Sequence, residues 1–177
     1  MQTELLAAGF GGQGVMMIGQ LMAFTAVAEN NFALFYPSYG PAMRGGTANC
    51  TVIVGTEIIG SPVLAEHQNI IVMNLPSLLK FEKNVETNGN LLINSSLISQ
   101  KSNRTDIHVY YVPANDIASS VGANLAANIV ILGSLLKLTK FAAFDTMEKM
   151  IQKKFGSKGE KVVTINLNAL KAGFEAV

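Results

Sequence analysis

The sequence predicts an α/β fold with one mostly parallel sheet and helices on both faces, and three features carry that expectation. Residues 4–8 (ELLAA) are continuously apolar after Glu4, as in a central strand covered on both sides. Residues 9–14 (GFGGQG) follow as a glycine-rich turn into residues 15–29, where Met16, Met17, Leu21, Met22 and Ala26 suit a helix. Strand-like and helix-like segments then alternate to the end of the chain, with no internal repeat, low-complexity tract or linker.

A second strand is expected at 32–35. Residues 36–47 contain Pro37, Pro41, Gly40, Gly45 and Gly46 with almost no apolar periodicity. They read as an ordered loop, and so long a stretch without secondary structure usually serves function. Residues 48–54 and 57–59, separated by Gly55-Thr56, read as a tight hairpin. A buried strand follows at 69–73, and Pro76 opens a helix to about Lys83. Residues 91–93 and 108–112 complete the strands. A long apolar helix is expected from about 122 to 140. Asp145 and Glu148 have the spacing of a capping box, starting a helix that ends near Phe155-Gly156. Residues 162–174 read as a strand and then a helix.

The 177 residues suit one domain with a sizeable core, and the boundaries 1–177 are taken for it. Charged residues make up 14% of the chain and apolar ones 49%, against about 25% charged in ordinary soluble domains. A surface so poor in charge suggests cover by other protein chains. The net charge of +1 argues against nucleic-acid binding, which normally shows a clustered basic face. Seven lysines do fall between Lys137 and Lys161, but Asp145, Glu148 and Glu160 are interleaved, so this reads as a solvated helical face rather than a docking patch. Residues 125–136 are the most apolar stretch, too short and too interrupted by Asn128, Gly133 and Ser134 to span a bilayer. With no basic leader before Gly9, a cytoplasmic protein without a membrane span is expected.

Gly9, Gly11 and Gly14 satisfy the spacing G-x-G-x-x-G between a strand and a helix, which makes the fold Rossmann-like. In such a turn the first glycine permits the bend, the second lets backbone approach a phosphate, and the third allows close helix–strand packing. The same glycines would also suit a merely cramped turn, and both readings stand. A dinucleotide site needs an acidic residue about 20 positions on, yet residues 30–56 contain no Asp or Glu. No Lys-Ser/Thr pair follows Gly14, so this is not the phosphate loop of nucleotide hydrolases.

Residues 38–47 (SYGPAMRGGT) form a second constellation. Arg44 is the only arginine besides Arg104, and Gly45 and Gly46 beside it would bare their backbone amides to a phosphate or carboxylate. Tyr39 could stack on a ring or complete a hydrogen bond. Alternatively, Arg44 ties down carbonyls within a structural loop. The candidate cofactor-binding set is therefore Gly9, Gly11, Gly12, Gln13, Gly14, Tyr39, Gly40, Arg44, Gly45, Gly46 and Thr47, with no catalytic residue and no metal ligand. Cys50 reads as a packing residue, His67 and His108 are too scattered for a metal, and the eight methionines read as adaptable core or interface filler. Asn115-Asp116 falls where open parallel sheets bind ligands, with Asp116 expected to cap the following helix.

The GFGGQG turn, the segment from Tyr39 to Cys50 (YGPAMRGGTANC), Gly60-Ser61-Pro62 and Asn74-Leu75-Pro76 together resemble the gamma subunit of 2-oxoacid:ferredoxin oxidoreductases, of the 2-oxoglutarate/2-oxoisovalerate type. The resemblance spans essentially the whole chain. One departure stands out: the family commonly has glutamate after the loop proline, where this chain has Ala42.

What the resemblance implies is a multi-subunit oxidoreductase that oxidatively decarboxylates a 2-oxoacid, 2-oxoglutarate by slight preference, to an acyl-CoA. It implies alpha, beta and ferredoxin-like delta partner subunits, and ferredoxin or a similar electron acceptor. A single Cys50 falls short of the roughly four cysteines of an iron–sulfur cluster. No Gly-Asp-Gly followed by a distant Asn marks a magnesium–diphosphate site. Thiamine diphosphate, Mg and the clusters are therefore expected on partner subunits, while this chain covers the active site and helps to hold coenzyme A. The competing expectations are a stand-alone nucleotide- or CoA-binding module and a structural assembly subunit without ligand.

Overall fold

The computed structural model describes residues 2–40, 46–61 and 63–177. A six-stranded sheet has the order β2-β3-β1-β4-β5-β6. Its strands are β1 (Gln2–Phe10), β2 (Phe32–Tyr39), β3 (Thr47–Gly55), β4 (His67–Val72), β5 (Val85–Asn94) and β6 (His108–Val112). β1 pairs in parallel with β4, β4 with β5 and β5 with β6, whereas β3 runs antiparallel to both β1 and β2. The sheet is thus mostly parallel, as the sequence predicts, with β3 alone reversed.

Strand alternation divides the core. Leu5 and Ala7 of β1, Val52 and Val54 of β3, Ile71 of β4 and Leu92 of β5 join one apolar cluster. Over it pack α1 (Val15–Ala28), α3 (Ala114–Ser120), α4 (Ala127–Thr139), α5 (Phe144–Phe155) and α6 (Glu160–Glu175). Leu6, Ile70, Val72, Leu91 and Ile93 face the other way, onto Leu78 of α2 (Leu75–Phe81) and Ile98. Helices therefore lie on both faces, with the thicker layer on the α4 side. α4 is buried over residues 127–136 because α6 crosses it closely. A Cβ on Gly173 would overlap the Val130 carbonyl, and one on Gly133 the Leu170 carbonyl oxygen.

Several segments differ from expectation. β2 runs on to Tyr39 and β3 begins at Thr47, so both ends of the expected loop are strand. Residues 57–59 form no strand: both edges of β3 are already taken, by β1 and β2, and Ile58 is exposed. The apolar helix begins only at Ala127, because Gly122 adopts a left-handed φ of 73° and separates α3 from α4.

The capping box does not form either. α5 starts at Phe144 after an Ala143 N-cap, which leaves Asp145 inside the first turn, and the Ala143 amide donates to Glu29 Oε1 at 2.8 Å. Asp116 is likewise in the first turn of α3 rather than its cap; its amide donates to Ser96 Oγ at 3.1 Å and its carboxylate accepts from that hydroxyl at 2.8 Å. Residues 162–174 are helical throughout, since Asn166, Ala169, Leu170 and Gly173 bury one stripe at helical spacing. That shared face outweighs the local strand preference of Val162-Val163-Thr164. Among the described residues no helix is long and apolar enough to cross a membrane.

Candidate functional site

β1 delivers the glycine turn to the carboxyl end of the sheet, where open parallel sheets bind ligands. Gly9 and Phe10 still pair with Ala48 and Thr47 of β3. Beyond them the Gly11 amide donates to the Gly46 carbonyl at 3.0 Å, and the Gly40 amide to the Thr47 carbonyl at 2.8 Å. The two glycine-bearing segments found separately in the sequence therefore form one rim. Tyr39 stands exposed at the end of β2, opposite Ala48, and Thr47 is exposed beside it. Arg44 and Gly45 lie outside the described residues, as do Ala42 and Pro62.

Gln13 acts within the turn. Its Oε1 accepts from the Phe10 amide at 2.7 Å and from Asn74 Nδ2 at 3.1 Å, and its Nε2 donates to the Met73 carbonyl at 3.1 Å. These bonds tie the turn to the end of β4, where Asn74 also caps α2 by accepting from the Ser77 amide at 2.9 Å. Gly9 leaves the room this needs: a Cβ there would come within 2.8 Å of Gln13 Oε1 and of Val15 Cγ2.

Gly14 is the N-cap of α1, with a left-handed φ of 74° and no side-chain cap, and the first turn of α1 carries no acidic residue. The positive end of the helix dipole is thus bare of intrahelical compensation and suited to an anion. Gly14 also presses against Asn128 of α4, whose Nδ2 donates to the Gly14 carbonyl at 3.3 Å. Gly12, at φ 103°, has open space on its Cβ side.

A cleft of about 610 Å³ opens beside this helix end. Gly12 and Gly14 form one wall; Met17, Phe155, Val162 and Ile165 supply apolar surface; Lys158, Asn124, Asn128 and Asn166 supply donors. Among the described residues none that lines it is acidic, so the cleft is biased toward an anionic ligand with an apolar body. On the other side of the fully exposed Leu125 lies a smaller crevice of about 150 Å³, reached by Gln13, Met73 and Asn115. The Asn115 carboxamide oxygen accepts from Asn94 Nδ2 at 2.8 Å, which orients it at this edge.

Other reactive groups stand apart. Cys50 is fully buried in β3, and burial pushes its thiol up to about 12, so it is protonated at neutral pH. Burial in the same sense lowers the pKa of His67, disfavouring its charged form. Among the described residues no three His, Cys, Asp or Glu side chains gather where they could hold a metal.

Residue-by-residue reading of the sequence missed Lys158, Asn124, Asn128 and the apolar wall from α6. Asn128 carried a signal, as a carboxamide interrupting an apolar helix; Lys158 and Ile165 carried none, because their approach to Gly12 depends on how α6 and the turn before it at residues 156–158 pack.

Comparison with known proteins gives a consistent result. A sequence model of the family described as pyruvate ferredoxin/flavodoxin oxidoreductase matches residues 4–176. Ketoisovalerate oxidoreductase subunit VorA of Methanothermobacter thermautotrophicus is 36% identical over 175 residues, covering 98% of this chain and 36% of that protein. This chain therefore spans about a third of that relative's length. The 2-oxoglutarate synthase subunit KorC of Methanocaldococcus jannaschii is 30% identical over 178 residues, covering 99% of this chain and 94% of that protein. The gamma subunit of keto/oxoacid ferredoxin oxidoreductase from Geobacter sulfurreducens superposes with a TM-score of 0.84 at 26% identity, covering 98% of this chain and 97% of that one.

Proposed function

This chain belongs to the pyruvate ferredoxin/flavodoxin oxidoreductase family, and on that premise we propose that it is the gamma subunit of a complex oxidising a 2-oxoacid to an acyl-CoA. Electrons pass from that reaction to ferredoxin or a similar acceptor. The observation that carries the reading is the joined rim of the GFGGQG turn and the Gly46 segment, beside a cleft free of acidic residues. 2-Oxoglutarate is the preferred substrate, supported by a 2-oxoglutarate synthase subunit that matches over 94% of its own length.

Alpha, beta and ferredoxin-like delta subunits carry thiamine diphosphate, Mg and the iron–sulfur clusters. Fully buried Cys50 is the chain's only thiolate source and does not suit a cluster. Coenzyme A fits better. The amides of Gly12 and Gly14 at the start of α1, together with Lys158, suit phosphate, while Met17, Phe155 and Ile165 suit the aliphatic arm. Bound there, coenzyme A supplies the thiol that accepts the acyl group. This chain's part is to neutralise the phosphates and exclude water from the arm. Gly9 and Gln13 hold the turn in shape; Gly11, Gly40, Gly46, Thr47 and Tyr39 belong to the adjoining rim, and Arg44 and Gly45 are further phosphate contacts on this reading. The site is cytoplasmic.

Native purification tests the reading. Companion chains bearing iron and thiamine diphosphate are expected to accompany this one, with 2-oxoglutarate-dependent acylation of coenzyme A; a chain that migrates alone would overturn it. Replacing Lys158 by Glu should raise the KM for coenzyme A about tenfold with little change in the KM for the 2-oxoacid, on the scale of one charge-assisted contact. A cleft contained in one chain also favours a second reading, a stand-alone CoA-binding module. That reading requires the isolated chain to bind coenzyme A in calorimetry, and silence at millimolar ligand removes it.

A further inference from the structure

We propose that the groove between the second half of α1 and the lysine-bearing side of α5 docks a companion protein chain. That chain would set apolar side chains against Phe24 and Val27 and carboxylates against Lys153 and Lys154. The inference rests on the multi-subunit assembly proposed above, and it assigns a surface that the coenzyme A reading does not use.

α1 contains no charged residue from Val15 to Ala28. Gln20 and Thr25 are its only polar side chains, and a helix so nearly apolar all round is expected to be covered nearly all round. Here α1 meets the sheet along Val15, Ile18 and Met22 and meets α5 beyond, yet Phe24 and Val27 remain 54% and 56% exposed. Between the helices lies a groove of about 420 Å³ floored by Leu21, Phe24, Val27 and Met150, with Lys153 and Lys154 at its margin. Phe24 is ten residues beyond Gly14, about 15 Å along the helix, so the groove is separate from the glycine rim.

Among the described residues no carboxylate answers the charge at the margin. Lys154 Nζ donates to the neutral Gln20 Oε1 at 3.3 Å. Among the described residues the one ion pair is Arg104–Asp106, so no carboxylate lies within 4.0 Å of the Lys149, Lys153 or Lys154 ammonium. An apolar floor with unpaired cations beside it complements an acidic, amphipathic segment laid in the groove. Concavity favours a protein over a lipid surface, because inserted side chains can fill it while a flat headgroup layer cannot. For Lys153 and Lys154 this revises the solvated-face reading of the lysine cluster.

The test uses the natively purified complex and a zero-length carbodiimide, which joins an amine to a carboxylate only when they touch. Mass spectrometry is expected to find Lys153 or Lys154 joined to an Asp or Glu of a companion chain. Phe24→Glu and the double variant Lys153→Glu/Lys154→Glu should each lower retention of that companion about tenfold at roughly 0.15 M salt, with circular dichroism unchanged. The milder Lys153→Ala/Lys154→Ala gives the same direction should the first two fail to fold. Companion chains that co-purify without such a cross-link overturn this inference and leave the function intact. Cross-links between two copies of this chain, or sedimentation with phosphatidylglycerol vesicles, also overturn it by naming a different occupant. A chain that purifies alone overturns both readings.

Discussion

The amide of Gly11 and the carbonyl of Gly46 meet at 3.0 Å across the carboxyl end of the sheet. That bond continues the β1–β3 ladder one step past Phe10 and Thr47, and it makes two sequence motifs 35 positions apart into a single rim. The shape of the rim depends on side chains behind it, which makes their roles measurable.

Gln13→Ala should cost about 1–3 kcal/mol of stability, because it removes the partners of the Phe10 amide, the Met73 carbonyl and the Asn74 carboxamide together. Urea unfolding reads this directly. A variant within about 0.5 kcal/mol of the parent would show that the turn does not rely on this side chain.

Gly14→Ala should be more damaging than Gly12→Ala. Both positions have positive φ, worth about 1–2 kcal/mol against any L side chain. Only at Gly14 does a Cβ also overlap a neighbour, Asn128. In an Asn128→Ala background the difference between the two variants should shrink, and equal costs in the parent would contradict the packing account.

Gly173→Ala should destabilise by at least the 1–3 kcal/mol typical of overpacking, since the obstacle is the Val130 backbone rather than a mobile side chain. Gly156→Ala, where nothing lies within 4 Å and φ is −55°, should stay within about 0.5 kcal/mol of the parent. Thermal melts of the two variants side by side decide the matter.

Cys50 should resist iodoacetamide at pH 8 in the folded chain and react once denatured. Burial raises its pKa from 9.0 to about 12, so the native state keeps a proton that the unfolded state releases above pH 9. The stabilising contribution is therefore full below pH 9 and is lost as pH rises from 9 toward 12. Comparing the pH dependence of urea unfolding with that of Cys50→Ala isolates this effect from lysine and tyrosine titration; parallel profiles would refute it.

Legibility followed the range of the forces involved. His108–Val112 could be read to the residue because a short apolar run between turn signals leaves little alternative. The end of α5 at Phe155 was equally plain, since glycine follows it. The supposed strand at 57–59 failed because residues 48–54 had partners on both sides that no local pattern reveals. Asp145 and Glu148 had the right spacing for a capping box, but a Glu29 carboxylate more than a hundred positions away met the helix start instead.

By itself the sequence determined the α/β class, the buried central strand and the glycine turn at its carboxyl end. Those features follow from local rules: apolar runs seek cover, and glycine alone accepts left-handed backbone cheaply. Tertiary structure decided which strands neighbour one another, that β3 runs against the rest, and that the Gly46 segment joins the turn. It also decided that Gln13 faces inward as a brace, and that α6 brings Ile165 and the turn before it, residues 156–158, brings Lys158 to the cleft. Such choices depend on how far-separated faces fill space and satisfy buried polar groups, and that sum has no counterpart in any short stretch of residues.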